Sequence, residues 1–290
     1  MTRRNLVIVR AGENSLHRGW IDRPCCDRNF DLLVSFYSTE AHARFTPQEG
    51  VTAVLVTGGK WDGLYKTLST LDLDAYDRIW LPDDDIDTCT DTINTMFVMC
   101  DRHGLAVAQP SLSRDSYFSH FIFNRCPSFR LRYTNHIEIM VPCLTTGVLK
   151  HALPYFEHTM SGFGLDYIWC RWPEVGAFRA AILDAIEVRH TRPVGKVLRS
   201  AMAAHGTLRA EDEEARLKQQ LDLDGRTVPI AFAGVRKDGQ PVTGRLAMAI
   251  QMTRDWLADR KSFRDPREAG WGVLKVARRQ ILKRLDLRDL

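Results

Sequence analysis

The sequence predicts an α/β fold with a mostly parallel central sheet flanked by helices, followed by a helical C-terminal extension. Up to about residue 195, short β-rich runs alternate with helical or loop segments, which is how a parallel sheet covered by helices is built. Most of those runs are apolar throughout, as strands buried on both faces are. After Arg192-Pro193 the pattern turns helical, dividing the chain into a core, residues 1–195, and an extension, residues 196–290.

In chain order, strands are expected at Asn5–Arg10, Phe30–Tyr37, Val51–Val56, Asp77–Leu81, Leu105–Gln109, Leu131–Met140 and Ala185–Arg189, each a run of β-branched and large apolar residues. Helices are expected at Lys60–Leu71 and at Thr88–His103, the second closed by Gly104 as a C-terminal cap. Thr145–Phe156 and Leu165–Trp172 are further helical segments. Beyond residue 195, Val197–His205, Glu211–Leu221 and Leu246–Arg260 read as helices, broken by the turn-rich stretch Arg236–Gly244, with a strand at most over Val228–Phe232.

Composition limits the function. The 290 residues carry 40 Lys and Arg against 36 Asp and Glu, a formal +4. Residues 271–290 hold six basic and two acidic side chains and so account for the whole excess. A body with no net charge argues against broad nucleic-acid binding, which needs a basic face along the phosphates. The seven cysteines include no CxxC pair, so they read as reduced thiols in a cytoplasmic protein rather than as a disulfide framework or a zinc site. The N-terminal apolar run, Leu6 to Val9, is far too short for a signal peptide, and no later segment is long enough to span a bilayer.

The most informative segment is Ile79-Trp80-Leu81-Pro82-Asp83-Asp84-Asp85-Ile86. An apolar strand runs straight into three carboxylates, which repel one another unless a cation or donors neutralise them. Ligands of open α/β sheets bind beyond the carboxyl ends of the strands, and a hard divalent ion held by one or two such carboxylates and completed by phosphate oxygens and water suits that place. The competing reading is a solvated loop that caps the next helix through Asp87 or Thr88.

A strand followed by Asp83-x-Asp85 resembles the DxD motif of GT-A-fold glycosyltransferases, in which the acidic pair holds Mn²⁺ or Mg²⁺ on the diphosphate of a nucleotide sugar. Longer stretches, NLVIVRAG, GGKWDGLY, IWLPDDDI, AQPSLSRDSYFSH, LRYTNHIEIM, SGFGLDYIW and VRHTRPVG, resemble a plant and bacterial family, domain-of-unknown-function family 707, grouped with GT-A enzymes. The likeness runs from about Asn5 to Gly195. It implies a GT-A-like catalytic domain over residues 1–195 and a nucleotide-sugar donor, without naming the sugar.

Several other positions suit that chemistry. Arg10 and Gly12 follow the first strand, which in GT-A enzymes meets the base and ribose. Gly59, Lys60 and Trp61 combine close backbone approach, a phosphate-neutralising ammonium and a stacking face, without the spacing of a P-loop. Asp84 and Arg192 are further donor-side candidates. His190 follows a strand and resembles the C-terminal histidine that GT-A enzymes use as a third metal ligand beside Asp83 and Asp85. Asp166, in Ser161-Gly162-Phe163-Gly164-Leu165-Asp166, resembles the acid that ends the glycine-aromatic loop of inverting GT-A enzymes and deprotonates the acceptor hydroxyl. Many members carry two acids there, whereas this chain has Leu165-Asp166; the alternative role of Asp166 is the N-terminal charge of a helix. Glu138, two positions from His136 on the same strand face, is a second acceptor-side or catalytic candidate. Ser113, Asp115 and His120 sit in a polar loop suited to hydrogen-bonding a sugar.

The tail, Trp271–Leu290, reads as a helix with Leu274, Ala277, Ile281 and Leu285 along one side and basic residues elsewhere. That composition fits either a peripheral contact with anionic lipid or docking on the catalytic domain or a second subunit. The whole reads as a metal-dependent glycosyltransferase acting on a saccharide or lipid-linked glycan acceptor, in surface polysaccharide or glycoconjugate synthesis. A sugar nucleotidyltransferase and a non-catalytic carbohydrate-binding or membrane-associated protein are the alternatives. A haloacid-dehalogenase phosphatase is disfavoured, because Arg10-Ala11-Gly12 stands where its nucleophilic aspartate belongs.

Overall fold

The computed structural model describes residues 4–172, 175–176, 178–195, 209–222 and 228–282. A large mixed sheet forms its centre. In order across the sheet the strands are β3 (Val51–Leu55), β2 (Phe30–Phe36), β1 (Arg4–Ala11), β4 (Tyr76–Trp80), β8 (Cys143–Thr145), β6 (Val107–Leu112), β9 (Ala180–His190), β7 (Phe129–Thr134), β10 (Ala231–Arg236) and β11 (Pro241–Thr243). Only β8, β7 and β11 run against the others, so the sheet is mostly parallel in direction. A two-residue strand, β5 (Ile86–Asp87), pairs antiparallel with the end of β9.

The apolar run of β1 explains its central place. Val7 and Val9 enter the core on one face of the sheet while Leu6 and Ile8 enter the core on the other, and all four are buried. Alternate residues of a strand point to opposite faces, so only a run without polar interruption fills two cores at once. Helices cover both faces. In α2 (Lys60–Leu68), Trp61, Leu64 and Leu68 are buried, and in α3 (Thr90–Arg102) Ile93, Met96, Phe97 and Cys100 are, the i, i+3, i+4, i+7 spacing of a helix with one buried side. Shorter helices follow: α4 (Thr146–Ala152), α5 (Leu165–Ile168) and α6 (Ala210–Gln220). Next come α7 (Arg245–Ala258) and α8 (Pro266–Leu282).

Several elements differ from the sequence expectation. The strand expected over Leu131–Met140 ends at Thr134, where the Thr134 hydroxyl donates to Ile230 O and Asn135 Oδ1 accepts from Ile230 N. These bonds to a distant segment end the ladder, and residues 135–142 turn away toward the strand ends. The expected helix Thr145–Phe156 is α4 followed by a 3-10 turn, Leu153–Phe156, beginning where Pro154 removes a backbone donor. The stretch Arg236–Gly244 is the turn of the β10–β11 hairpin, which continues the central sheet through β7 beyond the boundary expected at residue 195. The expected helix Val197–His205 and residues 283–290 lie outside the described residues. All seven cysteines are free thiols, four of them buried. Among the described residues, no helix is long and apolar enough to cross a membrane.

Candidate functional site

The chain leaves β1 for β2 on one side and returns in β4 on the other, so the sheet order reverses between β1 and β4. That reversal opens a crevice at the carboxyl ends of the strands. Asp83, Asp84 and Asp85 follow β4 directly into it, and His190, the last residue of β9, reaches the same cleft of about 480 Å³.

Each aspartate meets a different cation of the chain. Asp83 Oδ1 accepts from Lys60 Nζ at 2.5 Å, and the same ammonium donates to Ile139 O at 2.7 Å. Asp84 Oδ1 accepts from Arg192 Nη1 at 3.0 Å, while its Oδ2 accepts from the Gly12 amide at 3.0 Å and from the Tyr37 hydroxyl at 3.4 Å. Burial raises the Asp84 pKa despite the Gly12 amide and Arg192, and burial together with Asp84 pushes Tyr37 up to about 12. Asp84 is therefore an anchor that ties the β1, β4 and β9 loops together. Gly12 permits this because a Cβ there would run into the Tyr37 ring.

Asp85 Oδ2 lies 3.2 Å from His190 Nε2. Backbone pairing sets that distance: Ile86 pairs with His190, and Thr191 donates both its amide and its hydroxyl to Asp85 O. His190 Nδ1 lies 3.1 Å from Tyr117 O, a carbonyl that can only accept, so Nδ1 carries a proton and Nε2 is the ring atom that faces the carboxylates. Burial would lower the His190 pKa, yet the Asp85 hydrogen bond and the charges of Asp85 and Asp83 raise it. The ligand atoms of Asp83, Asp85 and His190 all lie within 4.8 Å of one another. Two hard carboxylates with an imidazole whose Nε2 faces them, and whose Nε2 proton an ion would displace, fit a divalent ion such as Mn²⁺.

Glu138 forms the inner wall of the cleft and is buried. Gln109 Oε1 accepts its backbone amide at 2.8 Å, while neither carboxylate oxygen has a hydrogen bond of ordinary geometry among the described residues. Burial pushes the Glu138 carboxyl up to about 7, with Ser119, His190 and His136 offsetting this only in part. A polar group buried without strong partners is costly, and such groups gather where a protein handles protons.

Gly59, Lys60, the three aspartates, Glu138, His190 and Arg192 all line the cleft. Other candidates are placed differently. Arg10 borders the cleft, but its guanidinium is spent on the chain itself: Nε donates to Gly59 O, Nη1 to the Ser35 hydroxyl, and Nη2 to Val56 O and Gly58 O. It shapes the Gly58-Gly59 turn instead of offering a free charge, and burial lowers its pKa to about 10. Trp61 presents no stacking face, because its fully buried ring packs on Phe156 and Trp169. Ser113 and Asp115 lie outside the cleft lining: the Ser113 hydroxyl donates to Asp115, which pairs with Arg189 at 2.8 Å. Asp166 is also set back from the lining, with Oδ2 3.3 Å from His136 Nε2, and His120 joins these two in a second group whose ligand atoms lie within 4.8 Å.

Four residues of the cleft were not legible as site residues: Tyr37, Ser119, Met160 and Ser161. Tyr37 follows β2, and the rule that singled out Asp83 applied to β2 would have found it. Outside the lining, Glu213 of α6 braces the 159–163 loop and left no local signal. Its carboxylate accepts from the Thr159 hydroxyl, the Met160 amide and both the amide and hydroxyl of Ser161. Gly162 is needed in that loop, where φ is +73° and a Cβ would meet the Trp61 indole.

Comparison with known structures is informative at the level of the fold. The crystal structure of S. aureus TarS 1–349 in complex with UDP-GlcNAc aligns with a TM-score of 0.50 and 14% identity, over 89% of this chain and 74% of that one. The chain has a GT-A-like fold. A second crystal structure of S. aureus TarS 1–349 aligns over 96% of this chain and 81% of that one, with 11% identity and a TM-score of 0.44. No protein-family model matches the chain, and no curated protein matches it in sequence.

Proposed function

We propose that the chain is a nucleotide-sugar-dependent glycosyltransferase, as its sequence resemblance to GT-A enzymes of family 707 implies. One observation carries the reading: Asp83, Asp85 and His190 converge at the point where the sheet order reverses, in the crevice where α/β proteins bind nucleotides. The fold shared with a protein that binds UDP-GlcNAc supports a nucleotide-sugar donor.

Asp83, Asp85 and His190 would hold a Mn²⁺ or Mg²⁺ ion, which when bound supplies charge neutralisation for the departing diphosphate. Lys60 and Arg192 border the cleft on its two sides and add fixed positive charge where the leaving group gains negative charge. Glu138 is the better-placed base. It lines the cleft, whereas Asp166 is set back against His136, and a carboxyl held near 7 accepts a proton from an attacking hydroxyl more readily than an ordinary one. Asp166 serves here as the partner that orients His136. The acceptor is a saccharide hydroxyl, in the synthesis of a surface polysaccharide or glycoconjugate.

The test is release of nucleoside diphosphate from UDP-, GDP- and CDP-sugars with Mn²⁺ present. Turnover should require the ion, fall with Glu138→Gln while donor binding persists, and survive Asp166→Asn better than Glu138→Gln. Pyrophosphate release from a nucleoside triphosphate and a sugar phosphate would instead identify a nucleotidyltransferase.

A further inference from the structure

The helix α8 has two unlike faces. One is docked: Ala269, Val273 and Val276 are buried, Gly272 sits against the Phe121 ring, and Gln280 exchanges two hydrogen bonds with the backbone of Ala231. The sequence expectation placed an apolar stripe along Leu274, Ala277 and Ile281, but the core takes the opposite side. The Gln280 bonds and the close seat of Gly272 fix the rotation of the helix about its axis.

The outward face is consequently apolar in solvent. Trp271 is 74% exposed, Leu274 60%, Ile281 55% and Leu282 68%. At 100° per residue these four fall within about one third of the helix circumference, and the exposed Lys275 and Arg278 lie in the same sector. Residues 269–282 contain no Asp or Glu. Beside α8 runs α7, tied to it where Arg245 Nη2 donates to Arg279 O at 3.1 Å. It exposes its own stripe, Leu246, Ile250 and Leu257, together with Arg254.

We infer that this face of α7 and α8 is a binding surface for an anionic phospholipid bilayer. Large apolar side chains interleaved only with basic ones match the acyl boundary and the phosphate headgroups of such a surface together, and a tryptophan suits the interface between them. A partner protein with a plain apolar patch would leave Lys275, Arg278 and Arg254 unanswered. The inference is independent of the transferase reading, since it needs no donor, ion or turnover.

The experiment is flotation of the full chain with vesicles of phosphatidylcholine alone or mixed with phosphatidylglycerol, read beside tryptophan emission. Trp20, Trp61, Trp80, Trp169 and Trp256 are already buried and Trp172 is half-buried against the core, so the part of a blue shift that Trp271→Ser removes reports on Trp271. Binding should require the anionic lipid and weaken with salt. Lys275→Gln with Arg278→Gln should lower partitioning on the order of 30-fold, about fivefold per basic residue. Trp271→Ser with Leu274→Ser should abolish the emission shift at an unchanged melting temperature, because neither side chain supports the fold. Absence of binding, or equal binding to neutral and anionic vesicles, would overturn the proposal. So would a concentration-dependent dimer abolished by Trp271→Ser, which would make the face a contact between two copies of the chain.

Discussion

Asp85 and His190 stand 3.2 Å apart because the backbone on either side of them is paired, Ile86 with His190 and Thr191 with Asp85 O. The pair is thus preorganised by main-chain bonds that survive side-chain substitution. Asp85→Asn or His190→Ala should weaken Mn²⁺ binding by at least 10- to 100-fold, the range seen even when a supporting contact of a metal ligand is lost. The loss should come without gross unfolding. Titration calorimetry with Mn²⁺ reads the loss, and Asp115→Ala, outside the cleft, should leave the affinity unchanged.

Glu138 gives the pH dependence its sign. Its carboxyl is held near 7 in the fold against an ordinary 4.5, so the folded state favours the neutral form. The stability this contributes is complete below about pH 4.5 and is lost as the pH rises through 7. The loss is on the order of 3 kcal/mol across that window. Urea unfolding in EDTA should show stability falling between pH 5 and pH 8, and Glu138→Gln should flatten that part of the curve. Turnover should move the opposite way in the same window, rising as the base is freed.

The parts of this protein legible in its sequence are those fixed by local pattern. β1 carries the continuous apolar run Leu6–Val9, β4 ends on Ile79-Trp80, and the aspartates and His190 fall just after or at the ends of strands, so strand-end logic reaches them. The rest depends on distant partners. Whether residues 135–140 continue a strand is decided by Ile230, some 95 positions away, and the burial of Glu138 follows from the turn made there. Arg10 looks like a ligand-binding charge in sequence, and only the folded Gly58-Gly59 turn reveals that its donors are used up. Which side of α8 docks is likewise not legible: the sequence carries apolar residues on both sides of that helix, and Gly272 and Gln280 choose between them.

Arg132 and Asp184 form a wholly buried pair between β7 and β9. Arg132 Nε donates to Asp184 Oδ2 at 2.7 Å and Nη2 to Oδ1 at 3.0 Å, while the Cys126 amide supplies a further donor. Burial raises the Asp184 pKa even against the opposing guanidinium charge. Arg132→Met alone strands a carboxylate in the core and should cost about 3–5 kcal/mol in denaturant unfolding. Arg132→Met with Asp184→Leu should recover much of that loss, since both charges then disappear together.

Glu213 should control the cleft from outside it. Its carboxylate gathers the Thr159 hydroxyl, the Met160 amide and the Ser161 amide and hydroxyl, and Met160, Ser161 and Phe163 form one wall of the cleft. Glu213→Ala removes the acceptor and leaves those donors competing for water, at a stability cost of about 3 kcal/mol. Because the side chain does not itself line the cleft and acts through the 159–163 loop, its loss should raise KM for the donor more than it lowers kcat, by letting that wall relax. Glu213→Gln keeps one acceptor oxygen and should restore part of both the melting temperature and KM. An unchanged KM in Glu213→Ala, with only stability lost, would mean that the loop holds its shape through the Thr159 and Ser161 hydroxyls, which donate to nothing else in the loop but accept the Gly162 and Phe163 amides.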